Sequence, residues 1–217
     1  MLLSGYGELI KNLPYLDQSF QTKRTSWPEE KKNSQFAAFC KRKFKQQDSL
    51  KISRRDLFNE CQNDLYSGIV STIMWGYPRN FQGKKTFSNI LTSMKEIQME
   101  VSGKREITKN EFENIVERLA GKGKGIGLST LTKLLYFFRF TVEGYKCLIL
   151  DRRIIDVLRQ GTYEELQSLK DISEFNKIKR YCNYLQVISE IATAKGYETD
   201  KLELFLFQFG NNLKGED

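Results

Sequence analysis

Residues 121–151 decide the fold, and they read GKGKGIGLSTLTKLLYFFRFTVEGYKCLILD. Glycines alternate with other residues at the start of this stretch, which is typical of a turn whose backbone comes close to a partner. From Leu128 onward the apolar spacing predicts a helix. Upstream, residues 108–111 (TKNE) predict the cap of another helix, which we expect to end at Gly121. Two helices joined by such a turn predict a helix-hairpin-helix over residues 108–140.

The predicted hairpin is suited to holding a DNA backbone. The helix after it begins with unpaired N–H groups and a positive dipole end, which together favour a phosphate. The residues that we expect to contact DNA here are Lys122, Gly123, Lys124, Gly125, Gly127 and Ser129. Such contacts position a protein on DNA without reading its sequence. A plain glycine-rich connector is the alternative interpretation. A nucleotide-binding P-loop is disfavoured because the lysines precede the last glycines.

Lys133 lies in the helix after the hairpin, on an unexpected face. At 100° per residue, the core face consists of Leu131, Leu134, Leu135 and Phe138. Lys133 points away from that face, where a solvated lysine, the ordinary interpretation, would have polar neighbours. Its neighbours are instead Ser129, Tyr136, Phe137 and Phe140. Burial disfavours the ammonium form and lowers the pKa of a lysine, which makes its amine a nucleophile near neutral pH. We therefore predict that Lys133 is catalytic.

Asp151 is the predicted partner of this amine. It follows the apolar run 148–150 and begins a predicted helix over 152–160 that ends at Gly161. Aspartate is a favoured N-cap, and capping alone would explain the residue. The two roles are compatible, because the helix N-terminus keeps the carboxylate ionised and aimed. An ionised carboxylate can stabilise an oxocarbenium-like sugar cation, or help an amine or a water to attack C1′.

Composition excludes several classes of catalyst. Histidine is absent from all 217 residues, which removes Ser-His-Asp and Cys-His catalysis and histidine-ligated zinc. The four cysteines, at 40, 61, 147 and 182, are spaced too widely for a clustered metal site. We expect them to be reduced core thiols, and we expect no metal and no cofactor.

Positive charge is concentrated at the start of the chain. Residues 1–55 hold twelve Lys/Arg and five Asp/Glu, a balance of +7 out of +8 for the whole chain. Such a basic N-terminal region suits a polyanion, and Lys41 and Arg42 are candidate DNA contacts. The alternative is that residues 33–47 form a surface helix with a solvated basic face. Since no signal peptide or membrane span is recognisable, we expect a cytoplasmic, nucleoid-associated protein.

Helical spacing dominates the rest of the chain, and we expect a nearly all-α protein of about eight to ten short helices. Besides those above, helices are predicted from a capping box at residues 53–56 towards Trp75, around 90–97, after a cap at 162–165, over 173–195 and over 201–209. The loop from Gly76 contains Tyr77 and Arg79, which we expect to contact DNA or stack on a base. The alternative is that Trp75 and Phe81 are core residues beside a turn.

These residues carry a resemblance to a known family. Residues 125–138 (GIGLSTLTKLLYFF) and 148–155 (LILDRRII) resemble the helix-hairpin-helix-GPD superfamily of DNA base-excision glycosylases. The likeness is greatest to bacterial proteins described as 8-oxoguanine DNA glycosylase-like, and it covers about residues 65–210. Residues 75–83 (WGYPRNFQG) and 203–210 (ELFLFQFG) also fit that group.

The resemblance implies one all-α glycosylase domain over residues 1–217, made of two helical lobes with the active site in the cleft beside the hairpin. A damaged base is flipped out of the duplex into that cleft. The superfamily's aspartate is carried onto Asp151, and the lysine of its bifunctional members, which attacks the sugar and permits strand cleavage, onto Lys133. The expected partner is double-stranded DNA with a damaged or modified base, the expected state a monomer, and no membrane is involved.

The chain departs from the superfamily pattern at one position. The superfamily lysine comes two residues after the last hairpin glycine, where this chain has Ser129, and the usual Leu-Pro before the hairpin is missing. A monofunctional glycosylase that uses Asp151 and water, acting in repair or on a modified phage base, is therefore an alternative. A non-catalytic helix-hairpin-helix module that only binds DNA is another, and an RNA-binding helical domain rests on charge alone.

Overall fold

The computed structural model describes residues 1–28, 32–80, 87–120 and 126–213. Its α-helices are α1 (Gly7–Asn12), α2 (Ser34–Phe44), α3 (Arg54–Asn63), α4 (Leu65–Gly76), α5 (Phe87–Thr92), α6 (Met94–Ser102), α7 (Lys109–Ala120), α8 (Leu128–Phe137), α9 (Arg152–Gln160), α10 (Lys177–Lys195) and α11 (Thr199–Gln208). Short 3₁₀ helices cover Leu3–Tyr6, Tyr15–Asp17, Arg24–Ser26 and Glu164–Leu169. The predicted helical class is thus confirmed for the described part of the chain.

Two small sheets accompany the helices in the described residues. β1 (Ser19–Lys23) pairs antiparallel with β2 (Ser49–Ser53). β3 (Glu106–Ile107) pairs parallel with β4 (Thr141–Val142), which pairs antiparallel with β5 (Tyr145–Lys146). These strands were not predicted, because two to five residues are too few to show a period of two.

Capping residues set several helix boundaries where the sequence predicts them. Ser53 and Asp56 form the predicted capping box, and Glu111 accepts from the Thr108 N–H. One prediction here is wrong: the helix from Ser53 does not continue to Trp75. Asp64 adopts an extended backbone (φ −149°, ψ 108°) and its side chain accepts from Ser67 N, so it ends α3 and caps α4.

Three further boundaries differ from prediction. The helix expected around residues 90–97 divides at Ser93. The long C-terminal helix begins at Lys177 rather than 173, because Asn176 accepts from Ser173 N and closes a turn before it. The segment after 162 is a 3₁₀ helix without a side-chain cap hydrogen bond. The last helix covers Thr199–Gln208, within the usual two-residue uncertainty of helix ends.

The core is built around α4 and α8, which pack against each other. Residues 66–75 of α4 are buried throughout, and α8 is buried at every residue except Ser129. The apolar face predicted for α2 (Phe36, Phe39, Cys40 and Phe44) is also buried. All four cysteines are free; Cys40, Cys61 and Cys147 are buried and Cys182 is half-buried, in line with reduced core thiols.

The helices that flank the predicted hairpin are present, and α7 packs against α8. The turn itself, residues 121–125, lies outside the described residues, so the hairpin remains a prediction, as does the division into two lobes. In the portion of the chain that the structure describes, no helix combines the length and apolar character needed to cross a bilayer.

Candidate active site

Lys133 is a buried residue of α8, with 6% of its surface exposed. Its amine Nζ donates to Ser129 Oγ at 2.7 Å and to the Ser129 carbonyl at 3.2 Å. The amine also lies 5.8 Å from the centroid of the Tyr77 ring. The apolar flanks of α8 therefore predicted the burial of this side chain correctly.

Gly76 makes room for the lysine stem. A Cβ added at Gly76 would stand 2.9 Å from Cδ of Lys133, closer than real Cβ contacts, and 3.2 Å from its Cε, so the lysine stem would have to shift. Long side chains in a helix point back towards its N-terminus, which brings the Lys133 amine one turn back, beside Ser129. Tyr77 encloses the amine from the other side and is held in place by a 2.8 Å hydrogen bond between its hydroxyl and that of Thr130.

Asp151 is placed by the buried segment of residues 147–150, which lies directly before it. Tyr181 and Tyr184 donate to the carbonyls of Leu148 and Ile149 at 2.7 and 3.1 Å, and the Leu150 N–H donates to the Thr132 hydroxyl at 3.2 Å. Asp151 itself is the N-cap of α9, since its Oδ1 accepts from Ile154 N at 3.2 Å. The predicted capping role is confirmed, and the carboxylate is held at a fixed point.

Lys133 and Asp151 both line two neighbouring openings in the protein. The inner cavity, about 380 Å³, has aromatic side chains from Phe20, Trp75 and Phe207 and polar ones from Gln18, Arg54 and Glu203. The outer groove, about 670 Å³, is lined by Tyr77, Ser129 and several cations. Gly76, Lys133, Asp151 and Arg153 line both. The amine donates to Ser129 and not to Asp151, so the two groups face a shared space without being bonded to each other.

A buried ionic network forms one side of the inner cavity. Arg54, 1% exposed, pairs with Glu203 at 2.8 Å, and donates to Gln18 Oε1 at 2.5 Å and to the Tyr136 hydroxyl at 2.9 Å. The Tyr136 hydroxyl in turn donates to Asp200 at 2.6 Å. Burial raises the pKa of the Glu203 carboxyl above its usual range, and Arg54 opposes that rise. The pair therefore places a carboxylate at the wall of a cavity, where it would be unstable alone.

Only some of the other predicted DNA contacts lie within the described residues. Gly127 is the N-cap of α8 and Arg79 is exposed beside the inner cavity. Lys122, Gly123, Lys124 and Gly125, together with Phe81, lie outside the described residues. Trp75 is a core residue, 2% exposed, as the alternative interpretation of the loop proposed.

Lys41 and Arg42 do not line the cleft. Arg42 donates to Ser67 Oγ at 2.6 Å and lies 3.6 Å from Asp64, in a separate shallow groove. That groove shares none of its lining residues with the two openings at Lys133, as far as the structure describes the chain. Lys41 is exposed on α2. A DNA contact by either residue therefore remains a prediction.

Sequence reasoning missed most of the inner cavity and the cations of the outer groove. Those cations are Arg152, Arg153, Arg159 and Lys177. For Glu203 a signal exists: it is a lone acid within the apolar run LELFLF, the same anomaly that marks Lys133. For Arg54 the capping box conceals the signal, because an arginine in the first turn of a helix is ordinarily solvated.

Comparison with known protein families identifies a match for most of the chain. The family described as "Putative 8-oxoguanine DNA glycosylase OGG-like protein" matches residues 14–207. No curated protein and no solved structure matches the chain significantly. The match covers every residue named above as lining the inner cavity and the outer groove.

Proposed function

The chain belongs to the OGG-like family, whose description is that of an 8-oxoguanine DNA glycosylase, and from that premise we propose that it excises a modified base from duplex DNA and cleaves the strand at the resulting site. The observation that carries the proposal is the Lys133 amine, buried at the junction of two openings that Asp151 also lines. A scaffold that only binds DNA has no evident use for an amine in that position.

The proposed reaction starts with the flipped nucleotide bound to the protein. The base enters the inner cavity while its sugar stays at the junction, beside Lys133 and Asp151. The C1′–N bond to the base breaks, positive charge grows on the sugar, and the Asp151 carboxylate stabilises it. The Lys133 amine bonds to C1′ and gives up a proton, and the departing base takes up a proton.

Opening of the sugar ring then leaves a Schiff base between Lys133 and C1′. Loss of a 2′ proton and departure of the 3′ phosphate cleave the strand, and water releases the amine. Ser129 supports this role: superfamily lysines start at that position, and the Lys133 amine reaches back to within 2.7 Å of its hydroxyl. The Lys133 amine therefore lies beside the residue that occupies the superfamily's lysine position.

DNA is proposed to lie along the outer groove. Arg152, Arg153, Arg159 and Lys177 line it, and Asp156 and Glu174 offset part of their charge. The N-terminal amides of α8 after Gly127, together with the predicted hairpin contacts at 122–125, would hold phosphates on the same strand. Tyr77 and Arg79 border the openings and are the candidates for stacking near the flipped base. We expect the affinity to fall steeply with salt.

Borohydride trapping tests the proposal. The protein is incubated with duplexes carrying 8-oxoguanine or an abasic site, reduced, and examined for a covalent adduct. We expect an adduct with the wild type, none with Lys133→Ala, and an unchanged yield with Lys95→Ala, an exposed lysine of α6 that lines neither opening. Asp151→Asn should slow base release while α9 stays intact, because asparagine is an equally good N-cap.

The same experiment separates the alternatives. Base release without an adduct would indicate a monofunctional glycosylase that uses Asp151 and water, a mechanism that the serine at position 129 favours. Neither product on any lesion, with salt-sensitive duplex binding intact, would indicate a non-catalytic DNA-binding module. Release of a modified phage base but not of 8-oxoguanine would change the substrate and keep the mechanism.

A further inference from the structure

The inner cavity holds polar atoms that the protein leaves without partners. Gln18 Nε2 and Trp75 Nε1 are buried donors without a hydrogen-bond acceptor in the described residues, and both carboxylate oxygens of Glu203 are buried without a hydrogen bond, Oε2 lying 2.8 Å from its ion-pair partner Arg54. Glu203 is fully buried, Trp75 is 2% exposed and Gln18 9%. More than nine in ten buried polar groups in proteins find a partner, so three side chains with unpartnered atoms at one cavity call for an explanation.

The orientation of these atoms is constrained. Arg54 can only donate, and its Nε is 2.5 Å from Gln18 Oε1, so the other end of the Gln18 amide must be the free NH₂ group. Arg54 also holds Glu203 Oε2 at 2.8 Å, which leaves Oε1 for a ligand. One guanidinium therefore fixes a free donor and a free, charged acceptor close to each other in the cavity.

Three aromatic side chains, Phe20, Trp75 and Phe207, line the cavity, and Phe20 contacts the other two edge to face. Phe20 lies 5.0 Å from Trp75 and 6.5 Å from Phe207 between ring centroids, and the Arg153 guanidinium lies over Phe207 at 5.1 Å. Aromatic walls contribute through stacking whatever the base, so they carry no selectivity. Selectivity must come from the polar atoms at the ring edge.

We propose, on the basis of the glycosylase function above, that the inner cavity selects bases whose Watson–Crick edge is a lactam, in which a ring N–H stands beside a carbonyl. The ring N–H donates to Glu203 Oε1, and the carbonyl accepts from Gln18 Nε2, with Trp75 Nε1 as a second donor. Guanine-type and uracil-type bases have such an edge. Adenine-type and cytosine-type bases place a ring-nitrogen lone pair there, which repels a carboxylate.

A charged acceptor makes this preference strong. Hydrogen bonds to an ionised carboxylate are about twice as strong as neutral ones. A lactam N–H is a more acidic donor than an exocyclic amine, so it gains more from that acceptor. A site built around buried polar atoms also rejects a ligand that leaves them unpaired. Glu203 is thus the specificity-determining residue of the cavity, while Lys133 and Asp151 do the chemistry.

The test compares matched lesions. 8-Oxoguanine and 8-oxoadenine differ at this edge and share the oxidised side, and 5-hydroxyuracil and 5-hydroxycytosine form the pyrimidine pair. Single-turnover base release is measured for each in the same duplex. We expect the lactam member of at least one pair to be released at least about tenfold faster by the wild type. The pair that shows the preference tells a purine-type cavity from a pyrimidine-type one.

Two variants complete the experiment. Glu203→Gln, which keeps the shape and removes the charge, should reduce the preference to within about twofold, and Trp75→Phe, which removes only the Nε1 donor, should weaken it less. Adduct formation at an abasic site, which contains no base, is measured in parallel for each variant, so that loss of the fold or of the lyase step is told apart from loss of base selection. Equal release of both members, or a preference unchanged in a folded Glu203→Gln, would overturn the inference. If the wild type forms no adduct at the abasic site, the lyase function on which this inference rests would be refuted instead. If Glu203→Gln does not fold, the wild-type rates alone decide.

Discussion

Replacement of Arg54 by methionine should destabilise the fold by leaving Glu203 buried without its cation. Glu203 is fully buried and pairs with Arg54 at 2.8 Å. Removing one partner of a buried ion pair costs about 3–5 kcal/mol. The Tyr136 hydroxyl keeps its bond to Asp200, whereas Gln18 Oε1 loses its donor, which adds to the cost of the unpaired charge. Because burial already raises the pKa of Glu203, the orphaned carboxyl can take up a proton, which keeps the loss near about 3 kcal/mol.

Urea denaturation of Arg54→Met and of the double variant Arg54→Met/Glu203→Leu measures this effect. For a chain of this size, 3 kcal/mol corresponds to a melting temperature lower by about 6–12 °C. The double variant should recover most of the loss, because it buries no charge. A carboxyl whose pKa is raised in the folded state makes the protein less stable as pH rises. The loss in the free energy of unfolding of the single variant should therefore be larger at pH 8 than at pH 5. A loss below about 1 kcal/mol, or strictly additive effects, would refute the reasoning.

Two further predictions follow from close packing and from buried hydroxyls. Gly76→Ala should lower adduct formation at least about tenfold while the fold stays intact, because the added Cβ displaces the Lys133 stem. The control variant Gly5→Ala should have no effect, because a Cβ there meets nothing within 4 Å. Equal trapping rates in the two variants would contradict the packing argument. Burial raises the pKa of Tyr181 and Tyr184 well above 10.0, so as pH rises these hydroxyls ionise in the unfolded chain before they ionise in the folded one. Their contribution to the free energy of unfolding should therefore be complete below about pH 9 and be lost above about pH 10. The loss should reach up to about 1.4 kcal/mol per pH unit for each tyrosine. Urea midpoints from pH 8 to 11 measure this fall, which Tyr184→Phe should reduce; a flat profile would argue against it.

Local features of the fold were predictable because their causes are local. A capping box needs only the residues at positions one and four, so Ser53 with Asp56 and Thr108 with Glu111 could be recognised directly. The division of the predicted long helix at Asp64 could not, because an aspartate within an apolar pattern is compatible with both a helix interior and a cap. Tertiary packing of α3 against α4 favours the second.

The chemistry-bearing residues show the same division. By itself, the sequence determined that Lys133 is buried and that Asp151 caps α9, because both depend on the few residues around them in the chain. Only the tertiary structure decided that these two share a cleft, that Arg54 and Glu203 form the wall of a cavity, and that Arg42 lies elsewhere. Arg54 and Glu203 are far apart in sequence, and a charge is stable in a core only beside its partner. The burial of these two charges therefore cannot be predicted from the local sequence and is recognised only in the folded structure.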